Sequence, residues 1–152
     1  AYLGHPDRAS HASRRNPERA RLMFGPPGYA YVYRVYGMYC CLNLVAESDG
    51  TAGAVLIRAV EPSAGAELMR RNRVKPMPDS NLTSGPGKLC QALGVTRDLD
   101  GIDLCRSRSA LRICDDGVRI SDAQSRQTPR VGVDYAGEAA SWPLRYVSDS
   151  MV

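Results

Sequence analysis

The sequence predicts a strand-rich α+β fold in a single domain, and three observations support this prediction. A β-type segment spanning residues 29–45 alternates tyrosine and valine side chains between its two faces. The helical segments are short and are bounded by proline or glycine. The length of 152 residues suits one compact domain, which we take to run from residue 1 to residue 152.

The composition indicates a folded chain without membrane-spanning segments. Hydrophobic residues make up 43% and charged residues 24% of the sequence, which is ordinary for a globular domain. No stretch approaches the roughly 20 apolar residues that a membrane helix requires, so we expect an intracellular protein that does not contact the membrane. Five cysteines without CxxC spacing predict neither a disulfide framework nor a zinc site. We therefore expect no metal.

The first half of the chain predicts a short helix followed by an antiparallel meander. Asn16-Pro17-Glu18 has the features of a helix start, and the glycines and prolines of residues 25–28 must end that helix. Tyr36-Gly37-Met38 predicts the tip of a β-hairpin. A turn at residues 47–50 leads to another predicted strand at residues 54–60.

The second half alternates predicted helices, loops and short strands. Ser63 is predicted to cap a helix that ends near Arg71, and a further helix at residues 88–93 is predicted to stop at Gly94. The remaining strands are predicted at residues 110–114, 130–133 and 144–147.

Tyrosines are concentrated in the first part of the chain, where six of the eight lie within 39 residues. Tyr31 and Tyr33 occupy alternate positions of one predicted strand, so their side chains can form a stacking platform for a flat ligand. A half-buried sheet in which these tyrosines pack against their neighbours is the other interpretation of the same residues.

Positive charge is also concentrated in the first half. Residues 1–75 contain 11 basic and 6 acidic side chains, whereas residues 76–152 contain 9 and 10. Such an excess favours a polyanionic partner, and it is also common on solvated surfaces without one. The turn from Thr83 to Lys88 leads into a helix, where free amides and the Lys88 ammonium could bind an anion. Capping of the helix by Ser84 explains the same residues equally well.

Five blocks of this sequence resemble the alkyladenine (3-methyladenine) DNA glycosylase family. They occur in the order found in that family and cover the chain from residue 1 to about residue 147. The blocks are AYLG at residues 1–4, YVYRVYGMY at 31–39, LIRAVEP at 56–62, LTSGPGKLCQAL at 82–93 and RVGV at 130–133.

The resemblance implies a DNA repair enzyme that needs no cofactor. Such an enzyme flips an alkylated purine out of duplex DNA and hydrolyses the N-glycosidic bond with an activated water. The implied fold is a curved, mostly antiparallel sheet with a protruding β-hairpin and flanking helices, similar to the C-terminal domain of formyltransferases. The implied partner is double-stranded DNA containing alkylated or deaminated purines, bound by a monomer. The implied location is the cytoplasm at the nucleoid in a bacterium, or the nucleus in a eukaryote.

The resemblance also implies roles for individual residues. Tyr36 matches the residue that enters the minor groove and fills the space of the flipped nucleotide, and Arg58 matches the residue that helps to hold the attacking water. Asn43 matches the residue that acts against the exocyclic amine of guanine. The pocket for the flipped base corresponds to Tyr2, His11, Tyr33, Asn43 and Val131, with the main chain at His11 and Val131 contacting the edge of the base. The contacts to the DNA backbone correspond to Gly37, Met38, Thr83, Ser84, Gly85 and Lys88.

The general-base glutamate of this family precedes the position of Ala1. We therefore expect that these 152 residues lack an N-terminal segment of the domain and that they bind DNA without cleaving it. A non-catalytic nucleic-acid-binding module is the alternative function. An RNA-binding accessory domain that shares only the fold is a third possibility, against which the tyrosine-bearing hairpin argues.

Overall fold

The computed structural model describes residues 1–13, 17–73 and 75–148, and it has the predicted α+β architecture. The strands are β1 (Tyr2–Leu3), β2 (Ala30–Val35), β3 (Tyr39–Val45), β4 (Gly53–Leu56), β5 (Ser125–Thr128) and β6 (Arg145–Ser148). The α-helices are α1 (Pro17–Ala20), α2 (Ala66–Asn72) and α3 (Pro86–Ala92). Short 3₁₀ helices lie at His11–Ser13, Arg21–Phe24, Asp79–Asn81, Arg97–Leu99, Asp122–Gln124 and Asp134–Ala140. None of the helices in these described ranges is long and apolar enough to cross a membrane.

Strands β1 to β4 form one antiparallel sheet in the order β1-β4-β3-β2, and β5 pairs with β6 in a separate ribbon. The predicted meander of β2, β3 and β4 is confirmed. Its register sets Tyr31 opposite Asn43 and Tyr33 opposite Cys41. Because residues directly opposite each other share a face of the sheet, these four side chains lie on one side.

The predicted hairpin tip is confirmed at the turn between β2 and β3. Tyr36 has a φ of 52° and Gly37 a φ of 71°, and two positive values in succession are what a type I′ turn requires. Glycine adopts such a φ without steric cost, whereas tyrosine does not. The Tyr36 side chain is 89% exposed at this tip.

The two faces of the sheet pack against different parts of the chain. Val32 and Leu42 pack with Leu89 and Cys90 of α3 on one face. Tyr31 packs on the other face, in a cluster with Ala20, Met23 and the strand residues Val45 and Ala54. A third cluster joins Ala9 to Val133, Ala136 and Ala139, so the second half of the chain returns to the N-terminal segment.

The outer edge of β2 is covered by a turn rather than by another strand. The Val32 amide donates to the Asp100 carboxylate at 2.7 Å, and the Arg97 guanidinium donates to the Val32 carbonyl at 2.7 Å. The Ala30 amide donates to the carbonyl of Ile102. An exposed strand edge can pair with another chain, and these contacts remove that possibility at Ala30 and Val32 of β2.

Several predicted boundaries in the sheet and helices were wrong. Strand β4 ends at Leu56, earlier than residue 60. Helix α2 begins after Gly65, whose φ is 75°, and Ser63 does not cap it. The predicted cap Asn16 lies outside the described residues.

The strands predicted at residues 110–114 and 130–133 are not strands, and β5 was not predicted at all. Residues 130–133 are held instead by the buried Arg130 side chain and a turn at Gly132, whose φ is 77°. Alternation of side chains along one segment does not show whether a partner strand is present, which explains these errors.

Candidate functional site

A cavity of about 380 Å³ opens on the aromatic face of the sheet, beside the base of the hairpin. Its volume lies in the range of roughly 300–1,000 Å³ that is usual for small-ligand pockets. The lining includes Tyr2, His11, Tyr31, Tyr33, Asn43 and Tyr135, and it extends to Tyr36 at the hairpin tip. The structure thus brings together four of the predicted pocket residues with the predicted intercalating residue.

Three rings on strand β2 and the preceding segment form the aromatic wall. The ring centroids of Tyr31 and Tyr33 are 5.4 Å apart, and those of His11 and Tyr33 are 4.6 Å apart. The His11 Nδ1 atom and the Tyr31 hydroxyl form a hydrogen bond of 2.7 Å. Tyr31 is buried and packs in the core although it also lines the cavity, and the half-buried Tyr33 lines the cavity beside it. Stacking of a flat ligand on these rings stays a prediction.

Asn43 forms part of the cavity wall with its side chain buried. Its Nδ2 atom donates to the main-chain carbonyl of Tyr31 at 3.0 Å, which fixes the orientation of the amide on the neighbouring strand. A buried amide whose orientation is fixed by the main chain can discriminate between ligands, because it forms hydrogen bonds with some ligand groups and not with others.

Tyr2 is connected to Arg58 at another part of the wall. The Arg58 Nη2 atom donates to the Tyr2 hydroxyl at 3.2 Å. Arg58 itself lines a neighbouring cavity with Ala1 and Leu144, so it reaches the aromatic cavity through Tyr2. Burial raises the pKa of Tyr2 and the pKa of Tyr33, and both phenols keep their protons near neutral pH.

A buried ion pair lies behind Tyr2 and was missed in the sequence. Arg130 donates to both carboxylate oxygens of Asp7, at 2.6 and 2.8 Å, and both side chains are almost completely buried. Burial raises the pKa of Asp7, but hydrogen bonds from Arg130 and from the amides of Leu3 and Ala9 outweigh burial and bring it below 3.8. The pair joins residues 123 positions apart, and no local pattern indicates such a contact.

The predicted contacts to the DNA backbone at residues 83–88 are arranged around Asn81. The Lys88 ammonium donates to Asn81 Oδ1 at 2.9 Å, and the Ser84 hydroxyl donates to the same atom at 2.6 Å. Ser84 does not cap α3, because the N-cap is Gly85. The Thr83 side chain is buried and donates to a main-chain carbonyl, so it is not at the surface.

The remaining predicted residues lie at the rim. Met38 is largely exposed beside Tyr36, and Val131 is exposed next to Gly132 and Val133, which line the cavity. Val131 itself is not among the described lining residues. Within residues 1–13, 17–73 and 75–148, no group of His, Cys, Asp or Glu side chains could hold a metal ion.

Comparison with known proteins gives consistent matches over nearly the whole chain. The model of the family described as methylpurine-DNA glycosylase (MPG) matches residues 1–151. A relative from Methanocella arvoryzae is 50% identical over 146 residues, which are 96% of this chain and 71% of the relative. Relatives from Alkaliphilus oremlandii and Koribacter versatilis are 46% and 47% identical, and the matches cover 99% and 97% of this chain and 77% and 70% of the relatives. All three carry the name "Putative 3-methyladenine DNA glycosylase".

These matches identify the class of protein as the DNA glycosylases, which are repair enzymes that hydrolyse the N-glycosidic bond of a damaged nucleotide. Within this class, the chain belongs to the methylpurine-DNA glycosylase family. Its substrate is DNA, and it is a hydrolase of base-excision repair.

Proposed function

We propose that the aromatic cavity receives an alkylated purine, 3-methyladenine in the first instance, after the nucleotide has been flipped out of duplex DNA. The observation that carries this proposal is the position of the cavity, whose lining extends from Tyr2 and Tyr33 to the exposed Tyr36. A flipped base and the residue that replaces it in the duplex must be neighbours, and these side chains are neighbours. We further propose that the enzyme acts as a monomer on alkylated or deaminated purines in the chromosome.

Stacking in the cavity provides the first level of selection. Tyr2, His11 and Tyr33 line the cavity together, and in this proposal they sandwich the flat base. Alkylation at a ring nitrogen gives a purine a positive charge that aromatic faces attract. Stacking contributes about 1–3 kcal/mol per base and flipping costs a few kcal/mol. A weakly paired, damaged base therefore enters more easily than a normal one. Asn43 selects further by opposing the exocyclic amine of guanine.

Tyr36 acts as the residue that fills the space of the flipped nucleotide. Its ring stands clear of the protein, and the stem of the hairpin packs at Tyr39 against Gly87 of α3. A rigid stem keeps the Tyr36 ring in a fixed position relative to the residues that contact the DNA backbone, so those contacts can stabilise its insertion. Gly37, Met38, Ser84, Gly85 and Lys88 would contact the phosphates on either side, while Val131 and His11 present main-chain groups to the edge of the base.

The water that attacks the sugar needs a general base, and the register of β1 supports a proposal for its position. Tyr2 pairs with Ala54 of the antiparallel strand β4. A residue joined to the amino group of Ala1 would continue this register opposite Leu56, on the same side as Tyr2. We place the glutamate of the family pattern there, with Arg58 holding the water. The glutamate accepts a proton while the water oxygen bonds to the sugar C1′ atom, and the base leaves with the electrons of the broken bond.

The role of Tyr36 is tested by the substitution Tyr36→Ala. We expect binding to a duplex containing 1,N6-ethenoadenine to weaken by at least about fivefold, because the loss of one stacked aromatic ring costs about 1–3 kcal/mol. Affinity for an undamaged duplex, which depends on phosphate contacts and salt, should stay nearly constant. Tyr146→Ala is the matched control, since Tyr146 is 60% exposed on β6 outside the lining of the cavity. An equal loss of affinity for damaged and undamaged DNA would reject the proposed role.

The position of the general base is tested with two chains extended at the amino group of Ala1, one with Glu and one with Gln directly before Ala1 and otherwise identical. We expect the Glu chain to release free alkylated base from DNA, and the Gln chain to do so about 10²- to 10⁴-fold more slowly, since that is the usual contribution of a general base. Release is measured by chromatography of the free base. Equal rates for the two chains would show that another group activates the water.

A further inference from the structure

The Tyr2 ring lies between the cavity and a buried cation. The guanidinium carbon of Arg130 is 4.9 Å from the centroid of this ring. The Arg130 side chain is 1% exposed and is not among the described residues that line the cavity, so it meets the ring from the protein side. A second cation contacts the same residue, because Arg58 donates a hydrogen bond to the Tyr2 hydroxyl. Two guanidinium groups therefore act on one wall of the proposed base pocket.

The hydrogen bonds of Arg130 hold its charge at this position. Besides the two bonds to Asp7, its Nη1 atom donates to the Ala1 carbonyl at 3.1 Å and its Nη2 atom donates to the Ala139 carbonyl at 2.9 Å. Its Nε atom has no hydrogen-bond partner among the described residues. The π face of Tyr2 is the electron-rich group that remains beside it. A guanidinium anchored in this way cannot turn away when a ligand enters.

A cation on one face of an aromatic ring changes which ligands the opposite face of that ring binds. The face attracts cations through its quadrupole, and a cation already in place draws electron density away and repels a second positive charge. Donation by Arg58 to the phenol oxygen acts in the same direction. Stacking on a neutral purine depends mainly on burial and dispersion, and it is retained.

The carboxylate of Asp7 offsets only part of this effect at Tyr2. Burial is the largest influence on the pKa of Tyr2 and raises it, while the charges of Arg58 and Arg130 each lower it by more than the charge of Asp7 raises it. The two guanidinium charges therefore outweigh the Asp7 carboxylate in their effect on the Tyr2 phenol.

We propose that Arg130, held by Asp7 behind the Tyr2 ring, sets the balance between cationic and neutral purines in the cavity and shifts it toward neutral lesions. This inference rests on the proposed function, in which the cavity takes the flipped base. Arg130 acts through Tyr2 and is a positioning residue for specificity. Arg130 thereby reduces the advantage of a cationic purine such as 3-methyladenine over purines whose damage leaves the ring uncharged, such as deaminated and etheno-bridged bases.

The test compares two lesions of the same shape and different charge in otherwise identical duplexes. One carries cationic 7-methyladenine and the other carries neutral 7-methyl-7-deazaadenine, both on a 2′-fluoro sugar that resists hydrolysis. The variant Asp7→Asn with Arg130→Gln removes both charges and leaves the net charge unchanged, so the general attraction to DNA is preserved. We expect the ratio of the two dissociation constants to shift in favour of the cationic lesion by about threefold or more.

The control is the exposed ion pair of Arg119 and Asp115, changed in the same way to Gln and Asn. It should leave the ratio as in the unmodified chain. Arg130→Lys keeps a cation behind the ring. Its ratio of the two dissociation constants should equal that of the unmodified chain even if both affinities fall. Urea unfolding shows that each variant is folded, and Asp7→Asn with Arg130→Met replaces the first variant if that variant does not fold.

The unmodified chain provides a test that needs no variant. We expect it to prefer the cationic lesion over its neutral counterpart by less than about threefold, and a preference of tenfold or more would overturn the proposal. An unchanged ratio in a folded variant without the two charges would also overturn it, because a purely structural role lowers both affinities together. Failure of the unmodified chain to prefer either lesion over undamaged DNA would instead reject the proposed function.

Discussion

Tyr36 has a backbone conformation that tyrosine rarely adopts. The left-handed region costs a non-glycine residue about 1–2 kcal/mol, and the structure retains it at the one tip where the side chain is almost fully exposed. Backbone strain of this kind is found most often at functional sites. The strain therefore supports the insertion of Tyr36 into DNA independently of the aromatic cavity.

Gly37 shares this turn, and its replacement tests how far the turn conformation matters. An added Cβ at Gly37 would meet no atom within 4 Å, so Gly37→Ala changes only the backbone preference. We expect the free energy of unfolding to fall by about 1 kcal/mol in urea titrations, together with weaker binding to the ethenoadenine duplex. Gly50→Ala is the matched control, because Gly50 has a φ of 85° and equally open surroundings in a turn away from the cavity. Equal effects of both substitutions on DNA binding would contradict the role of the hairpin tip.

At the level of elements, β2 carries the tyrosines of the cavity on one face of the sheet. The turn at residues 97–102 holds the outer edge of the same strand. Val32 is fully buried, and both of its main-chain groups are bonded by side chains from this turn. The alternation that sends Tyr31 and Tyr33 to the cavity sends Val32 to the core under α3. A shift of β2 by one residue would exchange these faces, so the bonds of the turn also maintain the cavity.

Asp100→Ala removes the acceptor of the buried Val32 amide and the partner of Arg97. We expect the free energy of unfolding to fall by about 1–3 kcal/mol, which is the usual cost of a buried donor left without a partner. Asp98→Ala in the same turn removes an exposed carboxylate that bonds to Thr96, and its effect should stay near 0.5 kcal/mol. Urea unfolding measures both. Equal losses in the free energy of unfolding for the two variants would show that the contact of Asp100 with the edge of β2 stabilises the fold no more than an exposed carboxylate does.

For the whole molecule, the local parts of the fold were predictable and the assembled parts were not. Alternation and turn residues are properties of short segments, and they located the meander and the hairpin tip correctly. They could not show that a cavity would form over Tyr31 and Tyr33, or that Tyr31 would be buried and Tyr33 only half-buried, since this depends on what covers the sheet. The roles of the individual residues came from the resemblance, and they remain predictions until the variants are measured.

The contact between Asp7 and Arg130 has a consequence for transplanting this site into another protein. The hairpin with its exposed ring is one continuous stretch and could be moved as a single cassette. The wall at Tyr2 could not, because it is supported by groups from both ends of the chain. A host protein that received residues 29–45 alone could insert the exposed ring into a distorted duplex. It would lack the complete cavity that holds the extruded nucleobase.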